Sequence, residues 1–281
     1  MSKKMIRWTG LGAVVVAATT LGFSAESKAD YAATILSDNP VAYYHLGEAS
    51  GSALDSSGGA HDAALDGGTV VRDSASIVSG TNDGSATFGG ANNGRFIAPG
   101  FDKIGTGYSV EFWIRIDNLP GGCCAPLVGD GENGGTFFLM NYLIGPAQGA
   151  TGDIRQHFGF ANSPVASDSN TALSVGGVFH VVTTWDSTSN VNNGKIYING
   201  VLDKQVSVTD NIANDALKLF LGRDDREGYN GALFTLDEVA LYDHALSGSQ
   251  VAAHFAAAIP EPASLGLLSL GGLSLIRRRR A

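Results

Sequence analysis

A chain of 281 residues that is 44% hydrophobic and only 16% charged is a folding chain, long enough for one large domain or two small ones. Its formal charge of −9 understates the acidity of the body, because residues 30–259 hold 10 basic and 25 acidic residues, a net −15. That balance excludes ordinary nucleic-acid binding, which needs clustered Lys and Arg for phosphate, and it suits solubility outside a cell and calcium.

The N-terminus reads as an address. Lys3, Lys4 and Arg7 form a basic head, Leu11 to Phe23 is apolar and uncharged, and Ser27-Lys28-Ala29 puts small residues before a cut between Ala29 and Asp30. This is the three-part layout of a secretory signal peptide over residues 1–29, and the apolar run is short for a membrane span. There is no twin-arginine pair and no cysteine after the run, so general secretion is expected.

The body, residues 30–259, reads as short strands and turns, with 38 glycines and no collagen-like period. Tyr31 to Asn39 is a lead-in, and Pro40 to Glu48 is a strand near a sheet end. Thr69 to Arg72, Ser85 to Phe88 and Arg95 to Ala98 are short strands. Tyr108 to Ile116 organises the rest. Tyr108, Val110, Phe112, Ile114 and Ile116 alternate with Ser109, Glu111, Trp113 and Arg115, so five apolar side chains share one face of an extended strand. That face needs a second layer over it. Gly121 to Gly135 is expected to be a long loop carrying Cys123 and Cys124. Strands resume at Thr136 to Leu143, Ile154 to Phe160 and Phe179 to Asp186. Lys195 to Val206 is a hairpin turned by Asn199-Gly200, the pair that suits a type I′ turn. Leu217 to Leu221 and Leu233 to Tyr242 are the last strands, and Ser247 to Phe255 is one short helix. The pattern predicts an all-β, two-sheet antiparallel sandwich with one short C-terminal helix.

The C-terminus is a second address over residues 260–281. Pro260-Glu261-Pro262 leads into fourteen uncharged residues, Ala263 to Ile276, and then Arg277, Arg278, Arg279 and Arg280. As a helix the apolar run spans about 21 Å. That is marginal for a bilayer unless flanking residues extend it, and the arginines would stay on the cytoplasmic side. These parts, in this order, resemble the PEP-CTERM sorting signal of Gram-negative bacteria that make extracellular polymer. The resemblance implies an exosortase-type membrane protease as a processing partner, and contact with the membrane through the C-terminal helix before processing. A plain single-span anchor is the alternative reading.

Within the body, Asn39-Pro-Val-Ala-Tyr-Tyr-His-Leu-Gly-Glu48, Asp55-Ser-Ser-Gly58, Tyr108-Ser-Val-Glu-Phe-Trp113, Phe179 to Asp186, Gly194 to Val201, Leu221-Gly-Arg223, Gly231 and Leu236-Asp-Glu-Val-Ala-Leu-Tyr-Asp243 with Ala245-Leu-Ser247 occur in a familiar order. They resemble a laminin-G-like domain of the concanavalin A-like lectin/glucanase type. The resemblance implies a jelly roll, binding or adhesion roles, and often a structural calcium. By that resemblance the calcium ligands are Glu48, at the end of the first strand, and Asp237, in the last. Alternatively these two carboxylates cap turns or pair with Arg223 or Arg115. His45 and the Cys123-Cys124 loop depart from the family pattern.

For catalysis, glucanases of this fold present two glutamates with an aspartate between them on one strand face, and no such run occurs here. Glu111 stands alone, and Glu238 follows Asp237, expected to point the other way. No catalytic residue is named. In an oxidising compartment Cys123 and Cys124 are expected to bond to each other; a bridge to another chain or two free thiols are the alternatives. Trp113, Tyr142 and Tyr229 are the aromatics a sugar could stack on, although strand aromatics usually belong to a core. The sequence therefore reads as a secreted, non-catalytic adhesion or matrix protein at the cell surface or in the extracellular matrix, binding extracellular polysaccharide or protein. A lectin-like module with a defined glycan pocket comes second, and a glycan-cleaving enzyme third.

Overall fold

The computed structural model describes residues 30–73, 75–79, 81, 83–101, 106–130, 139–158, 165–209, 217–223 and 229–259. Residues 1–29, expected to be a signal peptide, lie outside them, as do Pro260, Glu261, Pro262 and Arg277 to Arg280. Two sheets pack face to face. In chain order the elements are helix α1 (Tyr31–Ser37), β1 (Ala42–Tyr44), β2 (Ala64–Asp66), β3 (Val71–Asp73), β4 (Ser85–Gly89), β5 (Arg95–Phe101), β6 (Gly107–Asn118), β7 (Cys124–Asp130), β8 (Leu139–Ile144), β9 (Ile154–Phe158), β10 (Val165–Asp168), β11 (Val178–Asp186), β12 (Gly194–Ile198), β13 (Val201–Val206), β14 (Leu217–Leu221), β15 (Leu233–Tyr242) and helix α2 (Gly248–Ala258). The first sheet runs β13-β12-β11-β6-β15-β4-β3, with β1 also on β15; the second runs β10-β9-β8-β7-β14-β5-β2. All the strand pairs within these sheets are antiparallel.

β6 sits at the centre of the first sheet, between β11 and β15. Tyr108, Val110, Phe112, Ile114 and Ile116 are fully buried in the core between the sheets. The alternating pattern has done what a strand with one apolar face must do. The hairpin between β12 and β13 turns on Asn199 and Gly200, at φ 51° and 76°. Asp55, in the Asp-Ser-Ser-Gly stretch, accepts hydrogen bonds from the amides of Tyr43, Ser57 and His61, and so ties its loop to β1.

Two expectations are corrected. Tyr31 to Ser37 is a helix. Seven residues are too few to hold a helix alone, but Tyr31 and Ile35 bury themselves on the outer face of the first sheet, so packing supplies the stability. Residues 124–130, expected as loop, form β7, an inner strand between β8 and β14. Pro126 hid it: the register with β8 shifts between Pro126 and Val128, and a bulge is where a strand tolerates proline. The far side of β6 is covered as well. Glu111 and Trp113 are roofed by α1 and α2, with Trp113 stacked on Phe255 of α2 at 5.8 Å. Among the described residues no helix is long and apolar enough to cross a membrane.

Candidate functional site

The outer face of the first sheet carries two polar clusters, and β15 feeds both. The first forms where β15 changes partner. Its opening half, Leu233 to Leu236, pairs with β4, and its later half, Val239 to Leu241, pairs with β1 on the same side. Between them the register with β6 shifts, and Glu238 takes the left-handed conformation, φ 53°. The bulge breaks the in-out alternation. Asp237 lies opposite Trp113, on the outer face, and Glu238 also reaches that side to accept from the Tyr43 hydroxyl. The expectation that the two carboxylates diverge is thereby corrected. Both side chains are fully buried.

The gap between the end of β1 and the start of β4 faces this bulge. His45 follows β1, and Asp83 precedes β4. His45 Nδ1 lies 2.8 Å from Asp83 Oδ2 and 3.1 Å from Glu238 Oε2. The segments approach so closely that a Cβ on Gly47 would stand 1.2 Å from the Asp83 carbonyl oxygen, and one on Gly84 2.9 Å from the Gly47 Cα. Leu46 is held at φ 64°, so two non-glycine residues in an uncommon backbone region, Leu46 and Glu238, flank one cluster. Asp237 Oδ2 accepts from the Ser76 hydroxyl at 2.5 Å and the Ile77 amide at 2.9 Å. Its Oδ1, together with Asp83 Oδ1 and Glu238 Oε1, is buried without a hydrogen-bond partner. Burial and the neighbouring Glu238 charge push the Asp237 carboxyl up to about 8. For His45, burial opposes the charge, but the bonds to Asp83 and Glu238 outweigh it and raise its pKa to about 10. Among the described residues, His45, Asp83 and Glu238 are the group whose ligating atoms all lie within 4.8 Å of one another. Sequence reasoning chose Asp237 and missed its neighbour Glu238. Glu48, the other expected ligand, accepts from the Leu54 amide at 2.7 Å and lies 3.5 Å from Arg72. Arg72 was not among the partners considered for it.

The second cluster centres on Glu111, fully buried. Oε1 meets His180 Nε2 of β11 at 2.7 Å and the Tyr31 hydroxyl of α1 at 3.3 Å. Oε2 meets His254 Nδ1 of α2 at 2.9 Å and the Tyr242 hydroxyl of β15 at 3.0 Å. His254 Nε2 reaches Asp38, just past α1, at 2.8 Å, and Trp113 Nε1 donates to the Tyr31 hydroxyl. Burial works against the Glu111 charge. The charge of His254, with the hydrogen bonds from His180 and His254, outweighs it and holds Glu111 well below the usual carboxylate range. His254 is raised in turn, burial opposing and Glu111 and Asp38 prevailing.

These shifts fix a pH dependence. A depressed Glu111 contributes stability above its ordinary value of 4.5, lost as pH falls toward the folded value. A raised His254 contributes below its ordinary 6.5, lost as pH rises through the folded value. The melting-temperature difference between the wild-type chain and His254→Gln is therefore expected to be greatest between these two values and to shrink toward pH 9. Circular-dichroism melts across that range check it, and a difference that grows above pH 6.5 would refute the pairing.

The remaining expected site residues lie outside both clusters' carboxylates, with Cys124 and Tyr142 on the second sheet. Cys123 and Cys124 are bonded to each other at the start of β7, and the Gln148 side-chain amide donates to Cys123 Sγ at 3.2 Å. Trp113, Tyr142 and Tyr229 are all buried, at 6%, 5% and 4% exposure, so none offers a sugar an open ring face.

Comparison with known proteins agrees with this architecture. A family model described as the concanavalin A-like lectin/glucanases superfamily matches residues 88–252, and one for the PEP-CTERM protein-sorting motif matches residues 258–280. No curated protein matches the chain. Among solved structures, one of botulinum neurotoxin type C is similar at 15% identity and a TM-score of 0.60, covering 82% of this chain and 53% of its own. The binding domain of botulinum neurotoxin DC, in complex with SialylT, is similar at 14% identity and 0.59, covering 80% and 52%. The binding domain of Paraclostridial Mosquitocidal Protein 1 is similar at 19% and 0.57, covering 78% and 52%. The chain spans about half the length of these structures, and at such identities the likeness is one of fold.

Proposed function

The chain belongs to the concanavalin A-like lectin/glucanases superfamily, and we propose that it is a non-catalytic binding module, exported by general secretion and sorted by its PEP-CTERM tail to the cell surface or extracellular matrix of a Gram-negative bacterium. There it adheres to, or organises, extracellular polysaccharide or matrix protein. In this reading residues 1–29 are removed as a signal peptide, residues 30–259 form the binding domain, and residues 260–281 are the tail handled by an exosortase. The observation that carries the non-catalytic reading is the fate of the central carboxylates. Glu111, Asp237 and Glu238 are fully buried on the roofed face, where a water and a sugar ring cannot flank them as glycoside hydrolysis requires. The lectin-like alternative draws on the neurotoxin type C structure, described by its interaction with two ganglioside molecules, and on the SialylT complex.

A divalent cation belongs to the same reading. Two buried carboxylate oxygens without partners, from Asp83 and Glu238 of the group gathered within 4.8 Å, suit a hard cation such as calcium, which takes oxygen ligands, and the unpartnered oxygen of Asp237 adjoins that group through its neighbour Glu238. Asp83 and Glu238 would hold it, with Asp237 beside them, and the ion would neutralise the mutual repulsion of these carboxylates and tie the β15 bulge to the turn before β4. Glu48, engaged with Arg72, stands outside that set.

The test is binding by the purified full chain. Cosedimentation with a bacterial extracellular polysaccharide, uncompeted by single oligosaccharides at millimolar concentration, is the expected result. Saturable binding of one defined oligosaccharide would favour the lectin. Shortening of the polymer, abolished by a carboxylate substitution, would overturn both.

A further inference from the structure

The matched sorting motif begins at residue 258, yet Ala258 is the last residue of α2 and is 1% exposed. The start of the processing signal is thus part of the folded domain. Pro260 follows after one residue, Ile259, whose amide still bonds to the Ala256 carbonyl at 3.3 Å. A membrane protease needs its substrate extended and accessible on both sides of the bond it cuts, and a docked helix ending at Ala258 leaves no slack on one side.

We propose that α2 is a latch on tail removal: the processing protease acts on the chain when α2 has let go of the sheet. This rests on the reading of the tail as a processed sorting signal. Val251, His254 and Ala258 form the buried edge of α2. His254 bridges Glu111 of β6 and Asp38 beside α1, and Phe255 stacks on Trp113 at 5.8 Å and lies 5.9 Å from His180. Ser247 closes a capping box with Gln250 at the other end. A helix of eleven residues held by one edge and one cap is the kind of unit that opens locally while the sandwich stays folded. Where opening and closing outpace cleavage, the cleavage rate follows the open population. The mature N-terminal helix α1 shares this latch through Asp38 and Tyr31, so a chain whose N-terminal segment has not docked would hold α2 less firmly. Tail removal would then depend on whether α1 has docked.

Two surface substitutions at α2 shift the latch in opposite directions and leave the sandwich core untouched. Ser247→Ala removes the cap and should raise the open population, and with it the rate of tail removal, about five-fold. Gly248→Ala strengthens the helix; its new Cβ would stand 3.6 Å from Tyr197, an ordinary contact, and processing should slow about three-fold. The full chain is followed by the mass lost from its C-terminus in a Gram-negative host making an exosortase, with hydrogen exchange on purified protein reporting α2 and β6 separately. Opposite shifts in rate that track α2 protection, with β6 unchanged, support the latch. Equal rates despite altered α2 protection overturn it. A wild-type chain never shortened in that host sinks the tail reading and the latch with it, whereas equal rates among chains that are all shortened sink the latch alone.

Discussion

Glu111→Ala is expected to lower the unfolding free energy of the chain by about 3–5 kcal/mol, the usual penalty for removing one member of a buried charged set. For a domain of this size that is a fall in melting temperature of roughly 10 °C. Four donors from four different elements converge on this carboxylate: Tyr31, His180, Tyr242 and His254. Without it the His254 charge loses its buried counter-ion and keeps only Asp38, two hydroxyls lose their acceptor, and the roof of both helices stands over a polar cavity. Glu111→Gln keeps the volume and an acceptor oxygen and removes the charge, so its loss should fall in between. Denaturant melts of the three chains decide it. A loss below about 1 kcal/mol for the alanine variant would mean that apolar packing of α1 and α2, not the carboxylate, carries the roof.

How far the sequence foretold this site depends on how local each part is. The inner face of β6 was readable because alternation is a property of neighbouring residues: Tyr108 to Ile116 state it within one strand. The β12–β13 hairpin was readable because Asn199-Gly200 carries its own backbone preference. Glu111 could be seen only as an odd carboxylate on a strand, since its partners stand 69, 80, 131 and 143 residues away in the chain. Helix α1 has too few residues to announce itself, and β7 is masked by Pro126 and by the glycines before Cys123. The bulge at Glu238 has no sequence mark at all. Asp-Glu within an apolar strand reads as one side chain in and one out, and only the change of partner from β4 to β1 forces a left-handed residue there. Asp83 was invisible for the same reason: it lies in a Gly- and Asn-rich stretch and matters only because it comes to rest against His45.

The cation cluster gives the second large effect, and it separates two ligand sets. Three carboxylate oxygens are buried without partners at this bulge, and burial together with the Glu238 charge raises Asp237. Without a cation, that repulsion is a cost to the native state, since the charges are separated and solvated on unfolding. A cation bound only by the folded chain adds about 2.7 kcal/mol at a hundred times its dissociation constant. For this size that is a rise of about 5–10 °C in melting temperature after chelation and readdition of calcium. Asp237→Asn should act with opposite signs in the two conditions. With its carboxyl pushed up to about 8, Asp237 must take up a proton near neutral pH when no cation is bound, a cost that Asn avoids, so the chelated variant should melt above chelated wild type, yet it should gain less from calcium because it lacks the negative charge beside the ion. Glu48→Gln should respond to calcium as wild type does, because Glu48 is spent on Arg72 and the Leu54 amide. A response lost in Glu48→Gln and kept in Asp237→Asn would return the cation to the end of β1. A wild-type chain indifferent to calcium, with Asp237→Asn still raised in chelator, would leave the cluster as stored repulsion compensated by His45 alone. The choice turns on the sign of one substitution in the absence of metal, a quantity that folding stability reports whether or not a glycan is ever found.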